Sequence, residues 1–258
     1  MDSKKKILII GNVIAVFATI IVNALANIIP IGGNLTGDIS DSIPNLFVPA
    51  GLTFAIWGFI YVLILCFAFY QLADLFGRIK TSGDYINNIS FWFILGSLGN
   101  IVWIFLWHYE QILLSMIPIV VLFLSLLIIY LRLNIGRSNA PKMERYLIHL
   151  PISVYLGWLT VATIANVTAV LVTLDVGALV LGEVLWTVLV IIVAMIITLL
   201  VIYQRQDVGY SLVIIWALIG IIIKQYGSFQ MIVLTAGVAA AIIAVFLLYK
   251  GVQRKQLI

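Results

Sequence analysis

Long apolar segments alternate with short polar breaks along nearly the whole chain. A helix that spans a membrane needs about 20 mainly apolar residues, and eight segments have this character. They cover residues 7–29, 50–73, 90–107, 112–133, 146–173, 180–203, 209–223 and 229–249, of which the seventh is the shortest. The pattern therefore predicts an all-α fold, a polytopic membrane bundle of eight transmembrane helices.

The composition supports a membrane location. The chain of 258 residues is 64% hydrophobic and only 9% charged, whereas soluble domains carry roughly 25% charged residues. The lipid bilayer is therefore the first partner that the sequence predicts. The formal charge of +4 does not indicate nucleic acid, because the basic residues lie at the ends of the apolar segments. The single cysteine, Cys66, cannot form an intrachain disulfide.

The positions of the basic residues predict the orientation of the helices. With eight helices, thirteen of the 14 Lys and Arg residues fall on one side of the membrane, and only Lys224 falls on the other. Positive residues gather on the cytoplasmic side of membrane proteins. We therefore expect a multi-pass protein of a prokaryotic cell membrane with both termini in the cytoplasm. The long loop 30–48 then faces outward, where it is predicted to act as a lid over a site between the helices.

The first segment has a second interpretation. The lysines at 4–6, the apolar stretch and the motif ALA at 24–26 together resemble a secretory signal with its cleavage site. The apolar stretch is longer than a usual signal core, and Asn23 and Asn27 suit a helix that packs within a bundle. We therefore favour a retained first helix, with cleavage as the alternative.

The sequence offers little support for catalysis or metal binding. His108 and His149 are predicted near opposite faces of the membrane, and neither has a partner at the spacing of metal or haem ligands. Lys224 ends a short helix and is not in the middle of the membrane, where a retinal Schiff base would require it. No nucleophile triad or phosphate loop is visible. We therefore predict no catalytic residues, no metal site and a binding protein rather than an enzyme.

Glu183 supports a different function. It lies about one turn inside the sixth apolar segment, and intramembrane carboxylates often bind ions or carry protons. A proton-coupled secondary transporter that uses Glu183 is therefore the alternative. Transporters often contain two related halves, but helices one to four do not recur in helices five to eight. We favour a Glu183 carboxylate that reaches the outer headgroups.

Aromatic and amide side chains form stripes on three of the predicted helices. At helical spacing they share one face of the second, third and fifth helices. They comprise Pro49, Trp57, Tyr61, Asn100, Trp103, Trp107, Tyr155, Trp158, Ala162 and Asn166. Flat rings beside small residues and a few polar atoms are typical of a pocket for a flat apolar ligand. The same residue types also hold membrane helices together, and periodicity alone does not separate the two interpretations.

These stripes resemble three motifs of the tryptophan-rich sensory protein / translocator protein family, the peripheral-type benzodiazepine receptors. The family's second helix opens with Pro-Pro followed by Trp and Tyr, and VPAGLTFAIWGFIY is similar, with Val48 at the first proline. Its third helix carries Asn, Trp and an aromatic pair, and NIVWIFLWH is similar, with His108 at the second ring. Its fifth helix carries Pro-Tyr-Leu-x-Trp and then Ala and Asn, and VYLGWLTVATIAN is similar, with Val154 at the proline.

The resemblance implies both a fold and a ligand. It covers residues 1–173 and implies a five-helix ligand-binding membrane bundle there, with 174–258 adding three transmembrane helices. It also implies a hydrophobic small-molecule ligand, a porphyrin or other tetrapyrrole, held by the ten residues of the stripes in a receptor with a sensory or transport role. The residues that follow the fifth helix do not match the family's sterol-recognition segment, so we do not predict that the protein binds sterols.

Two further points stay open. A homodimer is compatible with the sequence, and nothing in the sequence tests it. An enzyme that acts on the bound tetrapyrrole is the weakest alternative, because the chain offers no cluster of acid, base or metal-ligating residues.

Overall fold

The computed structural model describes residues 2–79, 81, 84–176 and 182–255, and in this part of the chain every regular element is a helix. The long helices among them are α1 (Ser3–Ile28), α2 (Gly51–Leu75), α3 (Trp92–His108), α4 (Ile112–Arg132), α5 (Lys142–Thr173), α6 (Glu183–Arg205), α7 (Val208–Gln225) and α8 (Gln230–Lys255). Of these described helices, seven are long and apolar enough to cross a membrane, and α3 is a shorter apolar helix. The predicted polytopic helical bundle is confirmed.

The helix boundaries differ from those of the apolar segments, and three of the differences concern α5, α3 and α6. α5 begins at Lys142 and passes through a π-helical turn at Arg145–His149, because polar residues extend the helix beyond its apolar part. The sequence pattern made the seventh helix the shortest. Among the long helices described, the shortest is instead α3 with 17 residues, and α7 has 18. The predicted start of the sixth helix, at residue 180, lies outside the described residues, within which α6 begins at Glu183.

Local signals in the sequence produce the tight turn between α6 and α7. Gln206 follows the last residue of α6 and has a left-handed φ of 51°. Asp207 comes next, and its side-chain carboxylate accepts a hydrogen bond from the backbone N–H of Tyr210 at 3.2 Å. Such a carboxylate satisfies one of the N–H groups left free at a helix N-terminus. The chain therefore reverses direction over two residues, Gln206 and Asp207.

The long outer loop contains a helix that its composition did not predict. Thr36–Ser42 is helical and is here called the loop helix. Its sequence, TGDISDS, is too short and too polar to show a helical hydrophobic period. The Asp38 carboxylate stabilises its start by accepting a hydrogen bond from the backbone N–H of Leu35 at 3.3 Å. The second long break likewise contains a short helix at Asp84–Ile89.

Small residues allow the helices of the bundle to approach closely. A Cβ at Gly99 of α3 would lie 2.9 Å from the Pro118 carbonyl oxygen of α4. A Cβ at Gly157 of α5 would lie 3.1 Å from the Tyr210 carbonyl oxygen of α7. Close backbone approach at small residues is typical of membrane helix pairs. α6 and α8 pack against α7 and against each other, so the C-terminal helices extend the bundle on the side of α5.

Two buried hydrogen bonds join α1 to its neighbours. The Asn12 amide donates to Gln71 Oε1 at 2.9 Å, and the Asn23 amide donates to Asn100 Oδ1 at 2.6 Å. All four side chains are buried. Without α1, Gln71 and Asn100 would have to satisfy these polar atoms elsewhere inside the bundle, which is unfavourable. These bonds favour a retained first helix.

Single cysteines at Ser42 and Asn139 should label from opposite sides of the membrane. Ser42 ends the loop helix between α1 and α2, Asn139 lies between α4 and α5, and both are exposed. In a Cys66→Ser background, a membrane-impermeant maleimide added to intact cells should label the Ser42→Cys protein. The Asn139→Cys protein should label only after permeabilisation. Labelling of both from one side would contradict the eight-helix topology.

Candidate functional site

Four tryptophan rings from three helices surround a single cavity. The rings of Trp57 (α2) and Trp158 (α5) meet edge to face with centroids 6.2 Å apart. Those of Trp103 and Trp107 (α3) stack with centroids 5.3 Å apart. Edge-to-face and offset stacked pairs are the favourable arrangements of aromatic rings. The contacts between the rings therefore stabilise the wall of the cavity.

The rings line a cavity, here called the ring chamber, with a free internal volume of about 50 Å³. Pockets that enclose drug-sized ligands have volumes of about 300–1,000 Å³, so a ligand of that size requires the walls of the chamber to separate. Seven of the ten predicted site residues line it: Pro49, Trp57, Trp103, Trp107, Trp158, Ala162 and Asn166. Ala162 and Ala165 leave room between the larger side chains of α5. The chamber is a mainly apolar slot between flat rings.

A second cavity, with a free internal volume of about 230 Å³, adjoins the first and is here called the amide chamber. The two chambers share the side chains of Thr36, Phe54, Trp57 and Trp103. The remaining lining comes from Asn23, Asn27, Gly37, Tyr61 and Ile104. Tyr61, an eighth predicted site residue, thus faces this chamber, and its ring stacks on Trp57 with centroids 5.8 Å apart. The lining of this chamber is more polar than that of the ring chamber.

The last two predicted site residues, Asn100 and Tyr155, lie behind the ring wall. The Asn100 amide donates to the Tyr155 hydroxyl at 3.2 Å, and the Asn100 carbonyl accepts from Asn23. The Tyr155 ring meets Trp57 edge to face with centroids 5.9 Å apart. Both side chains are buried. Their geometry suits the positioning of Trp57 rather than contact with a ligand.

Neighbouring helices satisfy the buried amide of Asn166. Its Oδ1 accepts a hydrogen bond from Trp103 Nε1 at 2.8 Å, and its Nδ2 donates to Ser115 Oγ at 3.1 Å. Asn166 is 2% exposed, so an unpaired amide there would be costly. The bond to Trp103 also holds the indole ring in place. Asn166 therefore joins α3, α4 and α5 and orients one ring of the chamber.

The loop helix covers the ring chamber and is bonded to the end of α3. The indole N–H of Trp107 donates to the Thr36 carbonyl at 3.2 Å. His108 is buried, with Nδ1 3.0 Å from the Ile31 carbonyl and Nε2 2.9 Å from Thr36 Oγ1. Because a carbonyl only accepts, Nδ1 is the donor, and in the neutral ring Nε2 accepts from the Thr36 hydroxyl. His108 thus fixes the loop.

The other end of the loop is bonded to α5 and α7. The Asn45 amide donates to Thr168 Oγ1 at 2.6 Å, and the Gln225 amide donates to the Leu46 carbonyl at 2.9 Å. In addition, Lys224 Nζ forms an ion pair with Asp41 Oδ1 at 2.6 Å. Lys224, which the sequence places at the end of a short helix, therefore contacts the loop helix.

α7 also packs tightly on the segment that precedes α2. The backbone N–H of Ala50 donates to the Gly220 carbonyl at 3.0 Å, and the indole N–H of Trp216 donates to the Thr53 carbonyl at 3.0 Å. A Cβ at Gly220 would lie 2.8 Å from Pro49 Cβ and closer still to Thr53 Oγ1. Since Pro49 lines the ring chamber, α7 supports part of its wall.

Other candidate chemistry lies away from the two chambers. Glu183 is the first residue of α6 and is exposed, so its predicted position one turn inside the helix is wrong. The described helix starts later than the apolar pattern indicated. Glu183 and Asp175 line a separate cavity. Within the described ranges, no group of three or more His, Cys, Asp or Glu side chains is placed to hold a metal ion.

Several lining residues were not predicted from the sequence. Thr36, Ser40 and Asn45 come from the outer loop, and Asn23 and Asn27 come from α1. The spacing of four between the two asparagines places them on one face of a helix, which is the signal that could have identified them. The loop residues carry no comparable signal, because their position depends on tertiary contacts with α3, α5 and α7.

Comparison with known proteins gives one match. The family model described as TSPO-like protein matches residues 7–249. The match extends beyond 1–173, where the motifs lie, and includes most of the three C-terminal helices. No curated protein and no solved structure matches the chain.

Proposed function

This multi-pass membrane protein belongs to the TSPO-like protein family, and we propose that it binds a flat hydrophobic small molecule in the ring chamber. The observation that carries the proposal is the enclosure of one apolar slot by four tryptophan rings from three helices. Flat rings stabilise a planar ligand by stacking as well as by removing its apolar surface from water. A tetrapyrrole, such as a porphyrin, is the ligand class that the resemblance to the family implies.

The polar atoms of the ring chamber support a ligand rather than simple helix packing. The indole N–H groups of Trp103 and Trp107 are bonded to protein acceptors. Trp158 is 2% exposed, and its Nε1 has no hydrogen-bond partner among the described residues. A buried N–H without an acceptor is unfavourable. An acceptor atom on a bound ligand would satisfy it after a small adjustment of the ring.

We propose that binding serves a sensory or transport role. The loop helix lines one side of the ring chamber and is bonded to α3, so a loop that controls ligand exchange is the arrangement expected of a receptor with slow exchange. Glu183, on which the proton-coupled alternative depended, is exposed at a helix end. We therefore propose a binding role in preference to proton-coupled transport.

Tryptophan fluorescence in lipid nanodiscs tests the proposal. The full chain is titrated with an uncharged octaalkyl porphyrin and, separately, with protoporphyrin IX. Binding in the ring chamber predicts saturable quenching, at one porphyrin per chain, beyond the partition measured with empty nanodiscs. Quenching of the protein that rises linearly with the porphyrin content of the bilayer, for both porphyrins, would contradict the proposal.

Replacement of Trp158 by Leu should weaken porphyrin binding about two- to tenfold. Leu keeps apolar volume in α5 but removes the ring face, and aromatic pairs contribute ~0.5–1.5 kcal/mol beyond area burial. Affinity is measured by the same titration, and stability by thermal unfolding in nanodiscs. Trp92→Leu is the matched control, because Trp92 begins α3 outside both chambers.

The two measurements separate a pocket from helix packing. A Trp158→Leu protein that binds porphyrin normally but melts early would show that the ring serves only to join helices. Asn166→Leu, unlike Trp158→Leu, should lower stability, because it removes the acceptor of Trp103 Nε1 and the amide partner of Ser115, whose hydroxyl keeps only its bond to the Ile112 carbonyl. Interhelical hydrogen bonds in membranes average ~0.6 kcal/mol, so the loss of stability should be small but measurable.

A further inference from the structure

A further cavity, with a free internal volume of about 410 Å³, is here called the basal cavity. It lies at the start of α5, whereas the outer loop is bonded to Thr168 near the end of the same helix. Its lining comes from the connection before α5, from the first turns of α5 and from the turn between α6 and α7. None of the residues described in this lining also lines the ring chamber or the amide chamber. The basal cavity is therefore a separate site at the opposite end of the bundle.

Positive charge exceeds negative charge in the lining of the basal cavity. Lys142 and Arg145 are exposed and line it, and neither forms an ion pair within the described ranges. Asp207 is the one carboxylate among the residues described in the lining. Its Oδ1 accepts hydrogen bonds from Ser153 Oγ at 2.6 Å and from the Tyr210 backbone N–H at 3.2 Å, and its Oδ2 is buried. The carboxylate is thus engaged by the start of α7, while the two cations stay available to an anion.

His149 adds a buried donor to the lining. Its side chain lines the cavity and is only 4% exposed. Nε2 lies 3.7 Å from Glu144 Oε1, which is too far for a hydrogen bond, and neither ring nitrogen forms one within the part of the chain that the structure describes. The imidazole carries at least one N–H, and a buried N–H without an acceptor is unfavourable. An anionic oxygen in the cavity would supply the acceptor after a small rotation of the ring.

The backbone of α5 is irregular where these side chains lie. Arg145–His149 forms a π-helical turn, which is closed by the bond from the Leu150 N–H to the Arg145 carbonyl. Single π-helical turns inside α-helices occur frequently at functional sites. At the same cavity α7 comes close to α5, since a Cβ at Gly209 would lie 2.7 Å from Ser153 Oγ. The cavity is thus held between an irregular turn and a tightly packed helix start.

Apolar side chains border the same cavity. Tyr146 and Val208 are exposed and line it together with the two cations. The cavity lies on the side of the membrane that the basic residues predict to be cytoplasmic, and tyrosine is enriched where a membrane meets water. Basic pockets between transmembrane helices on this side bind the headgroups of anionic lipids. Positive charge beside exposed apolar surface therefore favours an amphiphile over a fully soluble anion.

We propose that the basal cavity binds the phosphate group of an anionic membrane phospholipid. Lys142, Arg145 and His149 bind the phosphate oxygens. Tyr146 and Val208 contact the glycerol and the first part of the acyl chains. The proposal does not depend on the ligand of the ring chamber, because the residues described as lining the two sites are different.

Native mass spectrometry of the full chain in detergent tests the proposal with two lipids that have identical dioleoyl chains. Phosphatidylglycerol has a net negative headgroup, whereas the choline of phosphatidylcholine cancels the charge of its phosphate. Each Lys or Arg near an anionic lipid contributes roughly fivefold in affinity. The first phosphatidylglycerol should therefore bind at least about tenfold more tightly than the first phosphatidylcholine. Equal affinities would overturn the proposal.

Removal of the two cations should remove this preference. Lys142→Gln combined with Arg145→Gln changes only exposed side chains, so the fold should be kept, and the preference should fall at least about tenfold. The matched control is Lys6→Gln combined with Arg78→Gln, which removes two exposed cations outside the cavity on the same predicted side of the membrane. The control should change the preference less than about twofold, because exposed charges at a distance are screened. An equal loss in both double variants would indicate general attraction to a basic surface and would overturn the proposal.

His149→Phe tests the buried donor. The change keeps a ring of similar size and removes both nitrogens, so the affinity for phosphatidylglycerol should fall about two- to tenfold, as expected for one hydrogen bond. The affinity for phosphatidylcholine should fall less, since its neutral headgroup binds the donor less strongly. Unchanged binding of phosphatidylglycerol would show that His149 does not contact the phosphate.

A competition experiment separates a lipid phosphate from a soluble one. Inorganic phosphate or glycerol 3-phosphate is added at millimolar concentration to the complex with phosphatidylglycerol. The lipid should stay bound, because only the lipid also covers the apolar border of the cavity. Displacement of the lipid by either compound would show that the cavity takes a soluble phosphate compound, and the assignment to a membrane lipid would be wrong.

Discussion

Gly220→Ala should lower the thermal stability of the protein and weaken ligand binding, although the change adds one methyl group. The added Cβ would lie 2.8 Å from Pro49 Cβ and closer to Thr53 Oγ1. Overpacking of this kind costs about 1–3 kcal/mol. For a chain of this size that corresponds to a fall in Tm of roughly 2–10 °C.

The expected effect on binding follows from the position of Pro49. To admit the methyl group, α7 must move away from the segment that precedes α2, or that segment must move toward the ring chamber that Pro49 lines. Either movement also lengthens the hydrogen bond from the Ala50 N–H to the Gly220 carbonyl. We expect porphyrin affinity to fall at least about threefold, since a loss of ~0.7 kcal/mol is sufficient.

Gly237→Ala is the matched control on α8. A Cβ at Gly237 would meet only Ile222 Cδ1, at 4.0 Å, so the methyl group fits without displacement. Ala stabilises a helix interior by about 1 kcal/mol relative to Gly, and this control should melt at the same temperature or higher. If Gly220→Ala behaves like Gly237→Ala in both Tm and affinity, α7 does not support the chamber.

The transmembrane helices were predictable because the bilayer imposes a length and an apolar composition on each of them. Their ends were less predictable. Hydropathy extends a segment through any apolar residues, whereas the described α6 begins at Glu183 after Gly182, which has a positive φ of 74°. The loop helix was missed for a related reason: it is polar and one to two turns long, and contacts with α3 and α7 stabilise it.

The ring chamber was partly predictable from spacing alone. Trp103 and Trp107, like Trp57 and Tyr61, are four residues apart, and that spacing placed each pair on one helix face. Spacing did not reveal which polar groups face a ligand. Asn100 and Asn166 are equally polar in the sequence, but the first lies behind the wall and the second in it, because the packing of α1 and α4 decides where each amide finds its partner.

The contribution of α7 could not have been derived from its sequence. Gly220 and Trp216 are ordinary residues of a membrane helix, and a small residue beside an indole predicts only close packing. Their importance comes from the segment they contact, which begins 170 residues earlier with Pro49 and Ala50. Long-range contacts of this kind are set by the assembled bundle, and these contacts join α7 to the segment before α2 across the predicted boundary at 173.

Deletion of residues 33–40 should speed porphyrin release at least about tenfold. The deletion removes Thr36, whose carbonyl and hydroxyl bond Trp107 and His108, and it removes Ser40 from the chamber lining. Each lost hydrogen bond contributes about 0.5–1.5 kcal/mol, and 1.4 kcal/mol corresponds to a factor of ten. The release rate is measured by stopped-flow recovery of tryptophan fluorescence when excess empty nanodiscs capture the uncharged porphyrin.

Locking the same loop should have the opposite effect, which separates gating from damage to the fold. Asp41 and Lys224 already form an ion pair across the loop and α7, so cysteines at these two positions, in a Cys66→Ser background, can be joined by a short bifunctional maleimide. The crosslinked protein should release porphyrin more slowly than the same variant without the crosslinker. A deletion that speeds release together with a crosslink that slows it would establish the loop helix as a lid. Release that is unchanged in both proteins would mean that the ligand leaves between the helices, and the lid would have to be abandoned.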